Sequence, residues 1–141
     1  MGAVVSFQEE KRARDWETEK SLLHTLSMED MVAATEKYLV PISRTFRFRH
    51  SFLEEVCMDL AIETFLYSGK RGMTEARLGK AVPHEDDHLQ NRMMELNLFI
   101  SDWIQDKTVE SEKVAHGAAS YVKHWWDLGF DTGKKHAKAR R

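Results

Sequence analysis

The sequence predicts an all-α protein folded as an antiparallel bundle of about five helices. Its 141 residues include only two prolines and seven glycines, and residues of high helix propensity are plentiful. Apolar side chains recur at the i, i+3, i+4 spacing of amphipathic helices in most of the chain. No convincing strand pattern and no internal repeat of solenoid length is present. These observations favour one helical domain.

The first two helices are predicted from an apolar seam and from a capping signal. The first, over residues 7–26, is highly charged. Its apolar side chains form a thin seam: Trp16, Leu23 and Leu26. Ser27 is the expected N-cap of the second helix, with Asp30 three residues later as in a capping box. Pro41 is expected to end that helix because proline cannot continue the hydrogen-bond ladder.

The third helix is predicted over residues 51–68, with Gly69 as a left-handed stop. Apolar residues lie on several of its sides, as expected for a central helix with neighbours on two faces. Residues 43–50 alternate basic with aromatic side chains and are interpreted as a linker or a ragged helix start. Residues 69–82 are predicted as the longest loop, rich in glycine and basic side chains.

The last two helices carry clear apolar stripes. Pro83 suits the first position of the fourth helix, which is predicted to extend to about Lys107. Its stripe is Leu89, Met93, Leu96, Ile100 and Trp103. The stripe of the fifth helix is Val114, Ala118, Tyr121, Trp125 and Leu128. Gly129 is expected to end it. We therefore expect one domain over residues 1–132 and a flexible basic tail over residues 133–141.

Cysteine count and hydropathy predict a cytoplasmic protein. The single cysteine, Cys57, excludes an internal disulfide and fits a reducing compartment. Its apolar neighbours favour an inert core thiol over a nucleophile. No apolar run approaches the roughly 18 residues needed to cross a bilayer, and the N-terminus lacks the pattern of a secretory signal. No membrane association is expected.

Charge is distributed unevenly along the chain. The formal net charge is −2, yet the last nine residues hold five cations and no acid, which leaves about −7 for the first 132 residues. An acidic body with a basic tail is a poor match for a dedicated DNA-binding domain. Phe46 and Phe48 between arginines nevertheless offer stacking partners for bases. Nucleic-acid or phosphate binding through the basic loops and tail is therefore kept as an alternative.

The sharpest motif is His84-Glu85-Asp86-Asp87-His88, which matches H-E-x-x-H. In zinc hydrolases the two histidines bind the metal from one helix face and the glutamate activates a water molecule. Here both histidines are predicted roughly 90–130° from the centre of the apolar stripe, at the edge of the buried face. A third ligand is available from His50, His116 or His124. The competing interpretation is the solvated, acidic start of the fourth helix.

Candidate interaction residues lie outside that motif. Glu55, Asp59 and Glu63 are spaced i, i+4, i+8 on the third helix, where like charges are unfavourable unless cations meet them. A solvated or salt-bridged face is the favoured interpretation, with cations from residues 44–49 or from the 70–80 loop. The alternatives are a site for a metal or a cationic ligand and a docking surface for a basic partner. The pair Trp125-Trp126 favours core and inter-helix packing over a ligand platform, and the alternative for Trp126 is a partly exposed ring that marks an interface. Lys134 and Lys135 extend this candidate surface into the tail.

Several short motifs resemble a family of short uncharacterised proteins from Bacillus-type bacteria. They are Val5-Ser6-Phe7 with Lys11-Arg12, then Leu22-Leu23, Ala61-Ile62-Glu63, and Trp125-Trp126 with Gly129-Phe130. The Trp-Trp-x-x-Gly-Phe motif is the most distinctive of them. The resemblance covers nearly the whole chain and implies a bacterial cytosolic protein. It carries no activity or catalytic residue to transfer.

The leading hypothesis is a non-catalytic helical protein that acts by contacting another protein or by self-association. It is favoured by the lack of a coherent catalytic set and by the surplus aromatic residues and segregated charge. The first alternative is a metal-dependent helical-bundle enzyme using His84 and His88, with zinc or another divalent ion as its cofactor. The second is nucleic-acid or phosphate binding. No cofactor is expected under the leading hypothesis.

Overall fold

A computed structural model describes residues 2–42, 51–104 and 109–139, and it confirms the all-α helical bundle. Within these ranges there are five helices and no strand. They are α1 (Gly2–Leu23), α2 (Met28–Ala34, continued by a π-helical turn over Thr35–Leu39), α3 (Ser51–Leu78), α4 (Asp87–Trp103) and α5 (Ser111–Ala139). None of the described helices is long and apolar enough to cross a membrane.

The bundle is built around α3 and α5, whose contact is the most extensive in the structure. Tyr121 of α5 donates a hydrogen bond to the Cys57 carbonyl of α3 at 3.2 Å, and Gly133 meets Gly69 further along. Because residue numbers rise together along both helices, this pair runs parallel. Helices adjacent in sequence, α3 with α4 and α4 with α5, run antiparallel. The prediction that the third helix is central is confirmed.

Glycines let the α3 and α5 backbones touch. A Cβ atom added at Gly133 would lie 1.9 Å from the Gly69 carbonyl oxygen, and one added at Gly129 would lie 2.4 Å from that of Phe65. No side chain fits into such a contact, so glycine is required despite a cost of about 1 kcal/mol inside a helix. The predictions that Gly69 ends the third helix and Gly129 the fifth are therefore wrong.

Two segments that were expected to be irregular are helical in the structure. Residues 133–139, predicted as part of a flexible tail, continue α5 as far as Ala139, and both Gly133 and Ala137 are buried. These two small residues stand one turn apart and extend the face that packs on α3. Residues 69–78 of the predicted loop continue α3, which ends at Gly79 with a left-handed φ of 69°.

The connection between α3 and α4 is shorter than predicted. It ends at Asp86, whose carboxylate accepts hydrogen bonds from the backbone N–H groups of His88 and Leu89 and so caps α4. Pro83 therefore precedes the helix instead of starting it. The helix ends at Trp103, earlier than the predicted end near Lys107. Its stripe is confirmed, with Leu89, Leu96 and Ile100 buried and Met93 and Trp103 half-buried.

In the N-terminal helices the predicted cap of α2 is present, whereas the predicted apolar seam of α1 is only partly present. Ser27 Oγ accepts a hydrogen bond from Asp30 N at 3.1 Å, which confirms the cap of α2. Trp16 is 59% exposed, so its predicted place in an apolar seam is wrong, and among the side chains of α1 that the structure describes Leu22 is the fully buried one. Cys57 is buried in the core as expected. Residues 43–50, interpreted as a linker, lie outside the described residues.

Candidate functional site

The two histidines of the H-E-x-x-H motif lie in different settings. Because Asp86 caps α4, His84 precedes the helix and His88 lies in its first turn. His84 Nε2 is 2.7 Å from Asp127 Oδ1 of α5, and its ring packs against Phe130. The His88 ring stacks on Tyr67 of α3, with ring centroids 3.7 Å apart. The motif thus lacks the single helical face from which two such histidines bind one ion.

No metal centre is found in the described part of the chain, where no three His, Cys, Asp or Glu side chains are grouped to hold an ion. His116 is exposed on α5, while His124 packs against Tyr38 and Trp125. His50, the other candidate for a third ligand, lies outside the described residues. Zinc or another divalent ion at His84 and His88 stays a prediction that this geometry does not support.

The motif instead fastens the α3–α4 connection to the core. Tyr67 Oη donates to Asp86 Oδ2 at 2.9 Å, and Arg71 Nη1 lies 3.1 Å from the same oxygen. The indole Nε1 of Trp126 donates to the His84 carbonyl oxygen at 2.7 Å. Lys123 Nζ bridges carboxylates of the connection and of α5, at 2.6 Å from Glu85 and 2.8 Å from Asp127. These contacts hold the start of α4 against both long helices.

His88 adds a pH-dependent contribution to stability. Its Nε2 accepts a hydrogen bond from Arg92 Nε at 3.2 Å, so this nitrogen is unprotonated. Burial, and secondly the Arg92 charge, lower the pKa of His88. In the unfolded chain the pKa of histidine is about 6.5, so on acidification the unfolded chain takes up this proton at a higher pH than the folded protein does. The stabilisation by neutral His88 is therefore complete above the pKa of the unfolded chain. It is lost as the pH falls from there through the lowered pKa of the folded protein.

We therefore expect acidification from about pH 7.5 to about 5.5 to lower the free energy of unfolding. Burial lowers the pKa of His124 as well, with Lys37 contributing, and acts in the same direction. In His88→Phe the stacking on Tyr67 is kept and the titration is removed, so the loss of stability over this range should be smaller. Urea denaturation at several pH values measures it. Equal losses in the two proteins would contradict this role of His88.

The acidic row on α3 meets α4 through one of its members, Glu63. Glu55, Asp59 and Glu63 are exposed. Arg92 Nη1 of α4 lies 3.3 Å from Glu63 Oε2 and 2.8 Å from Glu95 Oε2. Within the described ranges Arg92 is the cation that meets this row, and the expected supply from the 70–80 segment was wrong. The basic side chains of residues 44–49 lie outside those ranges.

Two large apolar side chains are exposed on the solvent side of α4. Met94 is 61% exposed and Leu98 57%, and they stand one turn apart. At 100° per residue they lie roughly 140–180° from the centre of the buried stripe, with Glu95 on the side toward α3. We define the acidic–apolar surface as Glu55, Asp59, Glu63, Met94, Glu95 and Leu98. Sequence reasoning missed Met94 and Leu98, although two apolar residues at i, i+4 outside the main stripe signal such a face.

The other predicted interaction residues do not join this surface. Trp126 is fully buried, with its ring near those of Tyr67 and His88, which agrees with core packing of the pair and overturns the alternative of a partly exposed ring. The structure places it in the core because α4 covers this side of α5. Lys134 Nζ is 2.8 Å from Glu75 Oε2, and Lys135 is exposed on the last turns of α5. Both lie at the opposite end of α3 from the acidic row.

A cleft of about 490 Å³ beside the π-helical turn was not predicted from the sequence. It is lined by Tyr38, Ser120, Lys123, His124, Asp127, Leu128 and Asp131. The Tyr38 hydroxyl is 3.5 Å from His124 Nδ1, at the outer limit of a hydrogen bond. Within the described residues no hydrogen bond joins Ser120 to this imidazole. The cleft therefore lacks the coupled nucleophile and base that covalent catalysis requires.

The fold and these surfaces can be set beside known proteins. A family model described as a protein of unknown function, DUF2521, matches residues 1–141. The chain belongs to the DUF2521 family. An uncharacterised Bacillus subtilis protein, YbaK, is 28% identical over 148 residues, covering 99% of each chain. No solved structure matches the chain significantly.

Membership of DUF2521 confirms the resemblance to short proteins of Bacillus-type bacteria. The match to YbaK spans both chains almost completely, as the spread of the motifs along the sequence implied. The family supplies no activity, and the cytoplasmic location stays a prediction.

Proposed function

We propose that this DUF2521 protein is non-catalytic and acts by binding another protein through the acidic–apolar surface. The observation that carries the proposal is the exposure of Met94 and Leu98 on the outer face of α4, the helix whose Arg92 meets Glu63 of the acidic row. Large apolar side chains at i and i+4 are the anchors by which one helix engages another. Scattered apolar residues are normal on a surface, so the proposal also depends on the exposed carboxylates of α3 and α4.

Charge complementarity indicates the chemistry of the partner. The surface carries four carboxylates, and Arg92 is the described cation paired with two of them, Glu63 and Glu95. A second copy docking through the same face would bring like charges together, which disfavours a symmetric homodimer there. The occupant we propose is a basic amphipathic helix of another protein, with apolar side chains placed over Met94 and Leu98.

The expected affinity is modest. Fully burying a leucine or methionine contributes about 1.5–3 kcal/mol, and these two are already partly covered. Together they supply roughly 2–4 kcal/mol, which alone corresponds to a Kd of about 1–30 mM. Micromolar binding thus requires the carboxylates, and it should weaken as salt screens them. A transient, salt-sensitive contact is the form of association that this surface supports.

A pair of designed peptides tests the proposal. An amphipathic helix of leucine and lysine should bind with a Kd of roughly 10–100 μM at low salt, and its leucine–glutamate counterpart should not bind. Two variants should each weaken binding at least about fivefold: Met94→Gln/Leu98→Gln, and Glu55→Gln/Asp59→Asn/Glu63→Gln. Fluorescence anisotropy of the labelled peptides measures both effects.

The matched control is Glu9→Gln/Glu10→Gln/Glu17→Gln, which removes the same charge from exposed positions of α1. It should leave the affinity unchanged within about twofold, because salt screens charges that lie far from the acidic–apolar surface. If this control weakens binding as much as the α3 variant, the peptide senses only net charge and the surface is not a docking site. Equal binding of both peptides would also overturn the proposal.

A further inference from the structure

A second charged region lies at the other end of α3, where it meets the end of α5. A cleft of about 390 Å³ opens there, within the range of small-molecule sites. It is lined by Glu75, Ala76, Gly79, Lys80, Ala81, Lys134 and Lys138. Three of these residues have small side chains or none, which leaves the space between the lysines open.

The helical extension of α5 fixes two of these lysines. Lys134 and Lys138 are one turn apart on α5, and the buried Gly133 and Ala137 next to them hold this last part of the helix on α3. Lys80 follows the left-handed Gly79 and approaches from the α3–α4 connection. Residues expected to form a mobile tail are thus placed around one cleft.

Within the cleft, positive charge is in excess. Glu75 is the carboxylate among the lining residues; its Oε2 lies 2.8 Å from Lys134 Nζ and its Oε1 accepts a hydrogen bond from Val82 N at 3.2 Å. The Lys134 contact holds the pKa of Glu75 below its usual value, so this carboxylate stays ionised. Lys80 and Lys138 are exposed, and neither forms an ion pair with a described residue.

We infer that this cleft binds a small polyanion of the di- or triphosphate class. The cleft presents three ammonium groups, one of them shared with Glu75, and a ligand with several adjacent negative charges can meet them together. Lysine binds phosphate as a compact charge without the planar geometry that arginine demands of a carboxylate. A single carboxylate or chloride ion would neutralise only part of the excess.

Titration with inorganic tripolyphosphate tests the inference on the full-length protein. By calorimetry at about 50 mM salt we expect a Kd below about 1 mM, with pyrophosphate weaker and sulfate at equal ionic strength weaker still. Lys80→Gln/Lys138→Gln should weaken tripolyphosphate binding at least about tenfold. Lys20→Gln/Lys113→Gln, which changes two exposed lysines elsewhere, should bind as the unchanged protein does.

Three results would overturn the inference. They are the absence of measurable tripolyphosphate binding, equal weakening in the two double variants, and an oligothymidylate of about ten nucleotides binding more than about tenfold tighter than tripolyphosphate. The last would assign the lysines to a nucleic-acid surface. The lysines also lie near the C-terminal ends of α3 and α5, where cations stabilise helices. Melting temperatures without ligand therefore separate an effect on folding from one on binding.

Discussion

Replacing Gly133 by alanine is expected to destabilise the protein by roughly 2–4 kcal/mol, because overpacking a close contact forces the backbone to move. The added Cβ would lie 1.9 Å from the Gly69 carbonyl oxygen and 2.8 Å from its Cα. Both are backbone atoms of α3, so no rotation of a side chain relieves the overlap. The two helices must separate along their central contact.

The sign of this change distinguishes a packed helix from a free one. Alanine favours a solvated helix over glycine by about 1 kcal/mol, so Gly133→Ala would stabilise the protein if residues 133–139 were an unattached helical tail. Gly79→Ala is the matched control. Gly79 has a φ of 69° and open space around it, so Gly79→Ala should lower the free energy of unfolding by only about 1 kcal/mol through backbone strain. Urea denaturation of the three proteins gives the comparison.

Truncation of Trp126 to alanine should cost about 3–5 kcal/mol, the usual range for a buried aromatic side chain. The ring is fully buried and packs near Tyr67 and His88, so the change opens a cavity between α3, α4 and α5. Trp126→Phe keeps most of the ring but removes the donor to the His84 carbonyl. It should cost about 1–3 kcal/mol if that carbonyl is left without a partner.

Trp16→Phe is the control for these tryptophan variants, because its side chain is largely exposed and should change stability by less than about 0.5 kcal/mol. Hydrogen exchange adds a local readout. In Trp126→Phe the amides of residues 82–89 should exchange faster, since the indole helps to hold the connection. Equal stability of Trp126→Ala and Trp16→Phe would show that the ring of Trp126 is solvated and would contradict its place in the core.

The helices could be predicted wherever the signal is local. The α4 stripe of Leu89, Leu96 and Ile100 repeats within one segment, and Ser27 caps α2 through its own neighbours. The glycines could not be assigned this way. A glycine that ends a helix and one that lets a second backbone approach look alike in sequence, and Gly69 and Gly133 take their role from residues far along the chain.

The same limit applies to the candidate sites. Glu55, Asp59 and Glu63 were identified from helical spacing, but their neighbour Arg92 belongs to another helix. The two histidines are separated by a cap that Asp86 forms at the start of α4, and the spacing of a motif does not reveal where its helix begins. The sequence leaves open whether the ring of Trp126 is fully covered, because the covering of α5 by α4 is a tertiary feature.

The parallel pairing of α3 with α5 also determines the order in which the chain can fold. Tyr121 and Cys57, which the pairing joins, are 64 residues apart in sequence. Closing so long a loop costs entropy before the contact returns any free energy, which slows a helical protein relative to bundles held by neighbouring helices. We expect the α4–α5 hairpin, whose contacts are nearer in sequence, to form first. Helix α3 would then pack against the glycines of α5.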